Sequence, residues 1–322
     1  MSRKATNSKR TLVVLVAVCT VVLIGVILFS VRGSLRELVA HVAAHPASQT
    51  TESAISIHIA SKYEFVERSF KNGQGQTLSY YLYIPDQSAE QSGAGQKYPL
   101  VLLLHGVGER RDPGETDLQN QEKIFRNSFI QVWGKNYSAP YNPNIQQHWP
   151  CFVVIPQMTS TQQWIDADVH AGSYAQTPQP DAPLLQAKEL LDALQSEYAQ
   201  IDANRLYVTG FSNGGSGTWD AIERWPTYFA AAAPIAGASD PGQAEKLIHE
   251  PVWAFYGAKD TDVPVASARK MIAAVKAAGG EPRYTEFPTL EHGAVVWSTV
   301  YATTGDATYV KDFFPWLFAQ RK

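Results

Sequence analysis

Apolar residues recur along this chain in two rhythms. From residue 62 the runs YEFVERSF and TLSYYLYIP alternate apolar with polar positions and are rich in aromatic and β-branched side chains. KNGQGQ separates them, so the pair predicts an antiparallel hairpin. Further on the apolar runs are continuous: PLVLLLHG, CFVVIPQ, RLYVTG, AAAAPIAG and PVWAFYG, each closing on glycine, proline or a polar loop. Strands with no polar side are buried on both faces, as in a parallel sheet covered by helices. Helical patterns lie between them. Residues 182–198 gather Leu184, Leu185, Leu190, Leu191 and Leu194 on one broad face, and 266–278 and 310–320 show similar spacing. The expected fold class is α/β: a mostly parallel central sheet with helices on both faces and an N-terminal antiparallel hairpin. In such sheets ligands bind at the carboxyl ends of the strands.

A third pattern stands ahead of these. Residues 11–31, TLVVLVAVCTVVLIGVILFSV, carry no charge and as a helix span about 30 Å, the thickness of a bilayer core. Arg3, Lys4, Lys9 and Arg10 precede them, which orients the N-terminus to the cytoplasm. A cleaved signal peptide has a shorter apolar region, roughly 7–15 residues, and a small-x-small site close behind. This run ends instead in Ser30-Val31-Arg32-Gly33, and it continues straight past Cys19, against a lipoprotein reading. The expected organisation is a basic segment 1–10, a transmembrane anchor 11–31, a tether 32–61 poor in aromatics, and a catalytic domain 62–322 that is periplasmic or extracellular. Secretion after signal cleavage is the alternative.

Composition narrows the classes. The chain has 322 residues, 45% hydrophobic and 18% charged, enough for a sizeable core. Net charge is -3, and no basic run beyond the N-terminus suggests nucleic acid as a partner. Of the two cysteines, Cys19 lies in the apolar run and leaves Cys151 alone, so neither a disulfide framework nor a cysteine metal site can be built. Cys151 is expected as a buried residue on a strand.

The chemistry is written at the strand ends. Gly210-Phe211-Ser212-Asn213-Gly214 follows the strand RLYVTG and precedes a helical pattern, the setting of a serine on a sharp strand-to-helix turn. A hydroxyl needs a base to become a nucleophile. In that setting the partners follow the serine in the order acid, then histidine. His41, His45, His58, His105, His148 and His170 precede Ser212, and His249 precedes the next useful strand end, leaving His292. The acid belongs after PVWAFYG, where Asp260 and Asp262 both qualify and spacing does not choose. An oxyanion hole needs the N–H after the nucleophile, at Asn213, and one from the loop after an earlier strand, at Val107. That loop, HGVGERRD, is no dinucleotide fingerprint, because Arg111 stands where the third glycine is required. His105 is expected to brace the loop, and Glu109 with Arg110 to form a local ion pair. This chemistry calls for no metal or organic cofactor.

These residues resemble the α/β-hydrolase superfamily. Within it the chain is similar to the serine carboxylesterases of phospholipase/carboxylesterase or predicted-peptidase type, relatives of feruloyl esterases and polyhydroxybutyrate depolymerases. The likeness runs collinearly from about Tyr63 to Lys322 through LLLHGVGERRD, CFVVIPQ with QQW, IDANRLYVTG, GFSNGGSGTWDAI, YGAKDTDVP, EHGAVVW and FFPWLFAQRK. It implies Ser212 as nucleophile, His292 as base, Asp260 as acid, and Val107 and Asn213 as oxyanion donors. The chain departs from the family pattern at Asn213, where methionine is common, and at GERRD, which lacks a usual glycine. Residues 127–150 look longer and more aromatic than usual, so that Trp133, Tyr137, Tyr141 and Trp149 either line a groove or cover the core. Trp164 is expected near the acyl pocket. The implied activity is hydrolysis of small-molecule, polysaccharide or lipid carboxylic esters through an acyl-enzyme. A peptidase of prolyl-oligopeptidase type is a weaker reading, since the tether is too short for the access-restricting domain those enzymes carry. A catalytically inactive binding protein on the same fold is the other.

Overall fold

A run such as YPLVLLL cannot leave its peptide groups unpaired away from water, and in the computed structural model it forms a strand buried at all seven positions. The structure describes residues 62–86, 95–135, 144–301 and 310–322. The chain clusters into two units, Met1–Ser56 and Ile57–Lys322, and all described residues belong to the second.

The hairpin comes first, with β1 (Phe65–Lys71) and β2 (Thr77–Tyr83) paired antiparallel from Phe65↔Tyr83 to Lys71↔Thr77. Asn72 Oδ1 organises its turn by accepting the N–H groups of Gln74 and Gln76. Next come β3 (Tyr98–Leu104), α1 (Asp117–Phe125), α2 (Ser128–Gln131), α3 (Ile145–His148) and β4 (Phe152–Gln157). Then α4 (Ala182–Glu197), β5 (Ile201–Phe211), α5 (Asn213–Arg224), β6 (Ala231–Ile235) and β7 (Trp253–Gly257) alternate. The chain closes with α6 (Val265–Ala277), β8 (Arg283–Phe287), α7 (Ala294–Tyr301) and α8 (Phe313–Ala319).

The eight strands form one sheet in the order β1-β2-β4-β3-β5-β6-β7-β8. β2 pairs antiparallel with β4, and every pair from β4 to β8 is parallel, so the sheet is mixed with a parallel body. The polar strand β1 lies at the edge, where alternate residues meet water. After β3 the chain steps outward to β4 and then returns to β5 on the other side of β3. At such a reversal two successive loops diverge and leave a crevice at the carboxyl ends. Here it lies between the ends of β3 and β5, and it positions the site.

Two helix boundaries differ from the sequence reading for physical reasons. α8 starts at Phe313 rather than 310, which puts Pro315 in the first turn, where a missing N–H removes no helical bond. In α4, Leu184, Leu190, Leu191 and Leu194 are buried but Leu185 is half-buried, one position off the stripe. One expectation is corrected. The fold was expected to follow a transmembrane helix, yet among the described residues no helix is long and apolar enough to cross a membrane. The longest described helix, the 16-residue α4, carries Lys188, Glu189, Asp192 and Glu197. Segment 11–31 and the tether 32–61 lie outside the described residues.

Candidate active site

β5 runs out at Phe211 and α5 begins at Asn213, so Ser212 alone makes the turn. Its backbone sits at φ 57, ψ -123, a conformation that costs a residue with a β-carbon on the order of 1–3 kcal/mol. Packing holds it there. The Ser212 N–H donates to Ile235 O at 2.9 Å, and α5 approaches so closely that a β-carbon on Gly214 would stand 2.0 Å from Leu104 O. One on Gly210 would stand 2.5 Å from both Leu104 O and Gly214 O. The two glycines of the motif are thus required by contact rather than by torsion.

His292 reaches this serine from the loop after β8. Its Nε2 lies 2.9 Å from Ser212 Oγ and its Nδ1 2.7 Å from Asp260 Oδ2. A carboxylate oxygen can only accept, so Nδ1 carries the hydrogen and Nε2 is left to accept from the hydroxyl. The other oxygen of Asp260 accepts the N–H groups of Asp262 at 3.0 Å and Val263 at 2.8 Å, which fixes the carboxylate. The Asp260 side chain is fully buried while Asp262 is exposed and offers only its carbonyl, which accepts from His170 Nδ1 at 2.8 Å. The structure therefore brings Asp260, and not Asp262, to the imidazole. The His292 ring stands edge-on to Trp297, which stacks on Phe211, which in turn meets Phe129 edge-on at 4.6 Å.

Two backbone N–H groups stand at the starts of helical turns. Asn213 is the first residue of α5, and Val107 the first of a 3-10 turn, Val107–Glu109; neither position has an intrahelical partner for its N–H. The loop behind Val107 is braced from inside. His105 is fully buried; its Nδ1 donates to Gly106 O at 2.6 Å and its Nε2 accepts the Met158 N–H at 3.3 Å. Both roles belong to neutral imidazole, and burial lowers its pKa from 6.5 to about 4. Trp164 is also fully buried: its indole N–H donates to His105 O at 2.8 Å and its backbone N–H to Asn213 Oδ1 at 3.0 Å. It locks the loop after β4 to the start of α5 instead of presenting a face to the crevice. The side chain of Asn213, whose backbone alone entered the sequence reading, is half of that lock and also donates to Gln163 Oε1 at 3.3 Å.

From Trp164 the chain crosses to the acid loop and beyond. His170 meets Asp262, Tyr174 donates its N–H to Ser239 O, and Gln176 donates its N–H to Asp240 Oδ2. One segment, 163–176, is thereby tied to the elbow, the acid loop and the loop after β6.

Other expected roles change. Among the described residues Glu109 and Arg110 form no ion pair, because they point opposite ways. Arg110 donates outward to Val107 O and Gln162 O, whereas Glu109 is buried and accepts from Asn127 Nδ2. Trp133 is buried against Tyr301 and Phe314, and Trp149 stacks on Phe318 and Phe314, so both cover the core. Tyr137 and Tyr141 lie outside the described residues. Cys151 is a free buried thiol one residue before β4, not on it, and burial pushes it up to about 12. A depression of about 210 Å³ opens beside the Phe129–Phe211–Trp297 stack, between Asn127, Ser128 and Phe129 on one side and Ala294, Val295 and Ser298 on the other. Among the described residues no group of three or more His, Cys, Asp or Glu could hold a metal ion.

Known proteins share this architecture. The family model for the dienelactone hydrolase family matches residues 152–317. NocK of Nocardia uniformis subsp. tsuyamanensis, a protein named as an esterase, is 31% identical over 222 residues, 67% of this chain and 55% of that one. A bifunctional acetylxylan esterase/xylanase of Neocallimastix patriciarum is 22% identical over 191 residues, 59% of this chain and 22% of that one. The chain thus spans between 22% and 55% of the length of these relatives. Among solved structures, a thermostable esterase superposes with a TM-score of 0.62 at 32% identity, over 80% of this chain and 64% of that one. A feruloyl esterase module from Clostridium thermocellum shares the fold, with a TM-score of 0.52 at 17% identity over 80% of this chain and 88% of that one.

Proposed function

The chain belongs to the dienelactone hydrolase family of α/β-hydrolases, and from that premise we propose that this hydrolase is a serine carboxylesterase. The observation that carries the reading is the bridge made by His292, 2.9 Å from Ser212 Oγ on one side and 2.7 Å from Asp260 on the other. His292 Nε2 takes the hydroxyl proton as Ser212 Oγ attacks the ester carbonyl carbon. The carbonyl oxygen becomes an oxyanion and receives the N–H groups of Val107 and Asn213, with the N-terminal dipole of α5 behind it. Asp260 keeps the imidazole in the required tautomer and balances its positive charge. The tetrahedral adduct collapses, His292 protonates the leaving alcohol, and an acyl-enzyme remains. Water, deprotonated by the same nitrogen, releases the acid and restores the serine.

The surroundings support a compact apolar group on one part of the ester. Val107 and Val295 are 50% and 61% exposed, the first in the turn after β3 and the second three residues after His292. The depression of about 210 Å³, bordered by Phe129 and by Ala294 and Val295 just after His292, offers room beside the site for a small acyl or ring group. The test is a panel of esters graded in acyl length and leaving group, run beside peptide amides, with and without Ser212→Ala. Short-chain or single-ring esters should be cleaved, amides left intact, and the variant inert and unlabelled by a fluorophosphonate. A Ser212→Ala protein that kept most of its esterase activity would overturn the reading.

A further inference from the structure

The turn behind Val107 contains a carboxyl for which the hydrolytic steps have no use. Glu109 closes that turn and is only 7% exposed. Its Oε1 accepts from Asn127 Nδ2 at 2.8 Å. Its Oε2 rests against Gly106, 3.2 Å from where a β-carbon would stand on that residue. At its other end, the Glu109 carbonyl accepts from Gln157 Nε2 at 2.8 Å, and Gln157 is buried and also donates to Asn120 O.

Two details argue that this is more than filling. Burying a carboxyl costs free energy that an apolar side chain of equal size would not incur. Asn127, moreover, occupies the N-cap of α2, where its side chain would ordinarily accept a helix N–H, yet it makes no such bond. Its amide is committed to Glu109 and to Lys123 O. The carboxyl reaches back from Glu109 to Gly106 and so spans the short turn, with Asn127 fixing its other oxygen. Val107 opens that turn directly after Gly106.

We propose that Glu109 is a positioning residue for the oxyanion hole: anchored by Asn127, its buried carboxyl holds turn 106–109 so that the Val107 N–H points at the carbonyl oxygen of a bound ester. The proposal rests on the serine-esterase reading. A mispointed donor weakens the transition state and leaves ground-state binding almost untouched, so the effect belongs in kcat.

The experiment measures kcat and KM for the wild type, Glu109→Ala, Glu109→Gln, Asn127→Ala and the double alanine variant. Rates are expressed per site titrated with a saturating fluorophosphonate, which removes misfolded protein from the count. Glu109→Ala should lower kcat about 100-fold with KM changed less than about threefold. Glu109→Gln, which keeps an acceptor of the same reach, should recover most of that loss. Asn127→Ala should lower kcat in the same way, and the double variant should cost no more than Glu109→Ala alone, because both remove one clamp. Undiminished kcat in Glu109→Ala, a loss confined to KM, or equal losses for Gln and Ala would overturn the clamp while leaving the esterase reading in place. A wild-type chain that is not labelled at Ser212 would overturn both.

Discussion

The two ends of α5 share one backbone dipole and carry opposite populations. At its N-terminus stand Ser212, Asn213, Gly214 and Gly215, with the Ser212 N–H given to Ile235 O and no carboxylate in the first turn. At its C-terminus Asp220 and Glu223 are buried, and Asp240 is packed against them. Tyr174 donates to Asp220 Oδ1 at 3.2 Å and to Glu223 Oε2 at 3.4 Å, and Gln176 Nε2 donates to Asp220 at 2.9 Å. The Asp240 N–H donates to Glu223 Oε1 at 3.2 Å. Arg224, at 2.5 Å from Asp220, is the cation in direct contact. A helix C-terminus disfavours negative charge. Burial first, then the charges of Asp220 and Asp240, raise the Glu223 carboxyl well above its ordinary range. The contrast is instructive. Where the dipole would welcome an anion the fold supplies no carboxylate, in keeping with the proposed place for a developing oxyanion; where the dipole repels one, the fold buries a carboxyl whose pKa is raised.

The comparison breaks most completely at the N-terminal end. His292→Ala should lower kcat on a short aryl ester by on the order of 10⁵, read from initial rates per folded protein. Asp260→Asn should cost about 10⁴, because an amide no longer selects the tautomer, while Asp262→Asn stays within about threefold of wild type. Equal losses for the two aspartates would remove Asp260 from its proposed place. Gly214→Ala attacks the close approach itself. With a backbone carbonyl 2.0 Å from the new methyl, α5 must move, and urea denaturation should show a loss of about 3 kcal/mol or more.

Acid and base sharpen the comparison by moving its two halves in opposite directions. His105, behind the elbow, is neutral when folded with a pKa of about 4 against 6.5 when unfolded. Its contribution is complete above pH 6.5 and lost as pH falls toward 4, on the order of 3 kcal/mol in all. The pH dependence of urea unfolding between 7 and 5 should lose about one proton's worth of slope in His105→Gln. Glu223 has the reverse sign. Its folded pKa is raised from 4.5, so stability is complete below the unfolded value and drains away as pH rises through the folded one. Glu223→Gln should therefore be nearly silent at pH 4 and stabilising by about 1 kcal/mol at pH 9, the smallest effect of the set.

How much of this could be read from residues alone follows from the range of the interactions. The elbow was legible because strand, glycine, serine and glycine are contiguous, and His292 because the order of partners leaves one histidine. Spacing did not choose between Asp260 and Asp262, and only the family resemblance named Asp260, since both share a loop and the N–H groups of Asp262 and Val263 enclose the Asp260 carboxylate. The side chain of Asn213 stayed invisible because its partner, Trp164, is 49 residues away and arrives only when the loop after β4 folds back. The burial of the acidic end of α5 was not legible, because the strip that covers it, 173–176, comes from another part of the chain. Alternating and continuous apolar runs gave the strands and the hairpin, while the order β2-β4-β3-β5 depends on pairings that composition does not encode.

Segment 163–176 has a consequence for how such an enzyme can diversify. It is fastened at Asn213, at Asp262 and at the loop after β6, so a substitution that shifts it is felt at three places in one step. Heritable change there is pleiotropic, and libraries built on it will be dominated by clones with a disturbed serine–histidine geometry. The borders of the depression, 126–129 and 294–298, do not share those three fastenings. New substrate range is more readily selected from Arg126, Ser128, Ala294, Val295 and Ser298 than from the segment that ties the scaffold together.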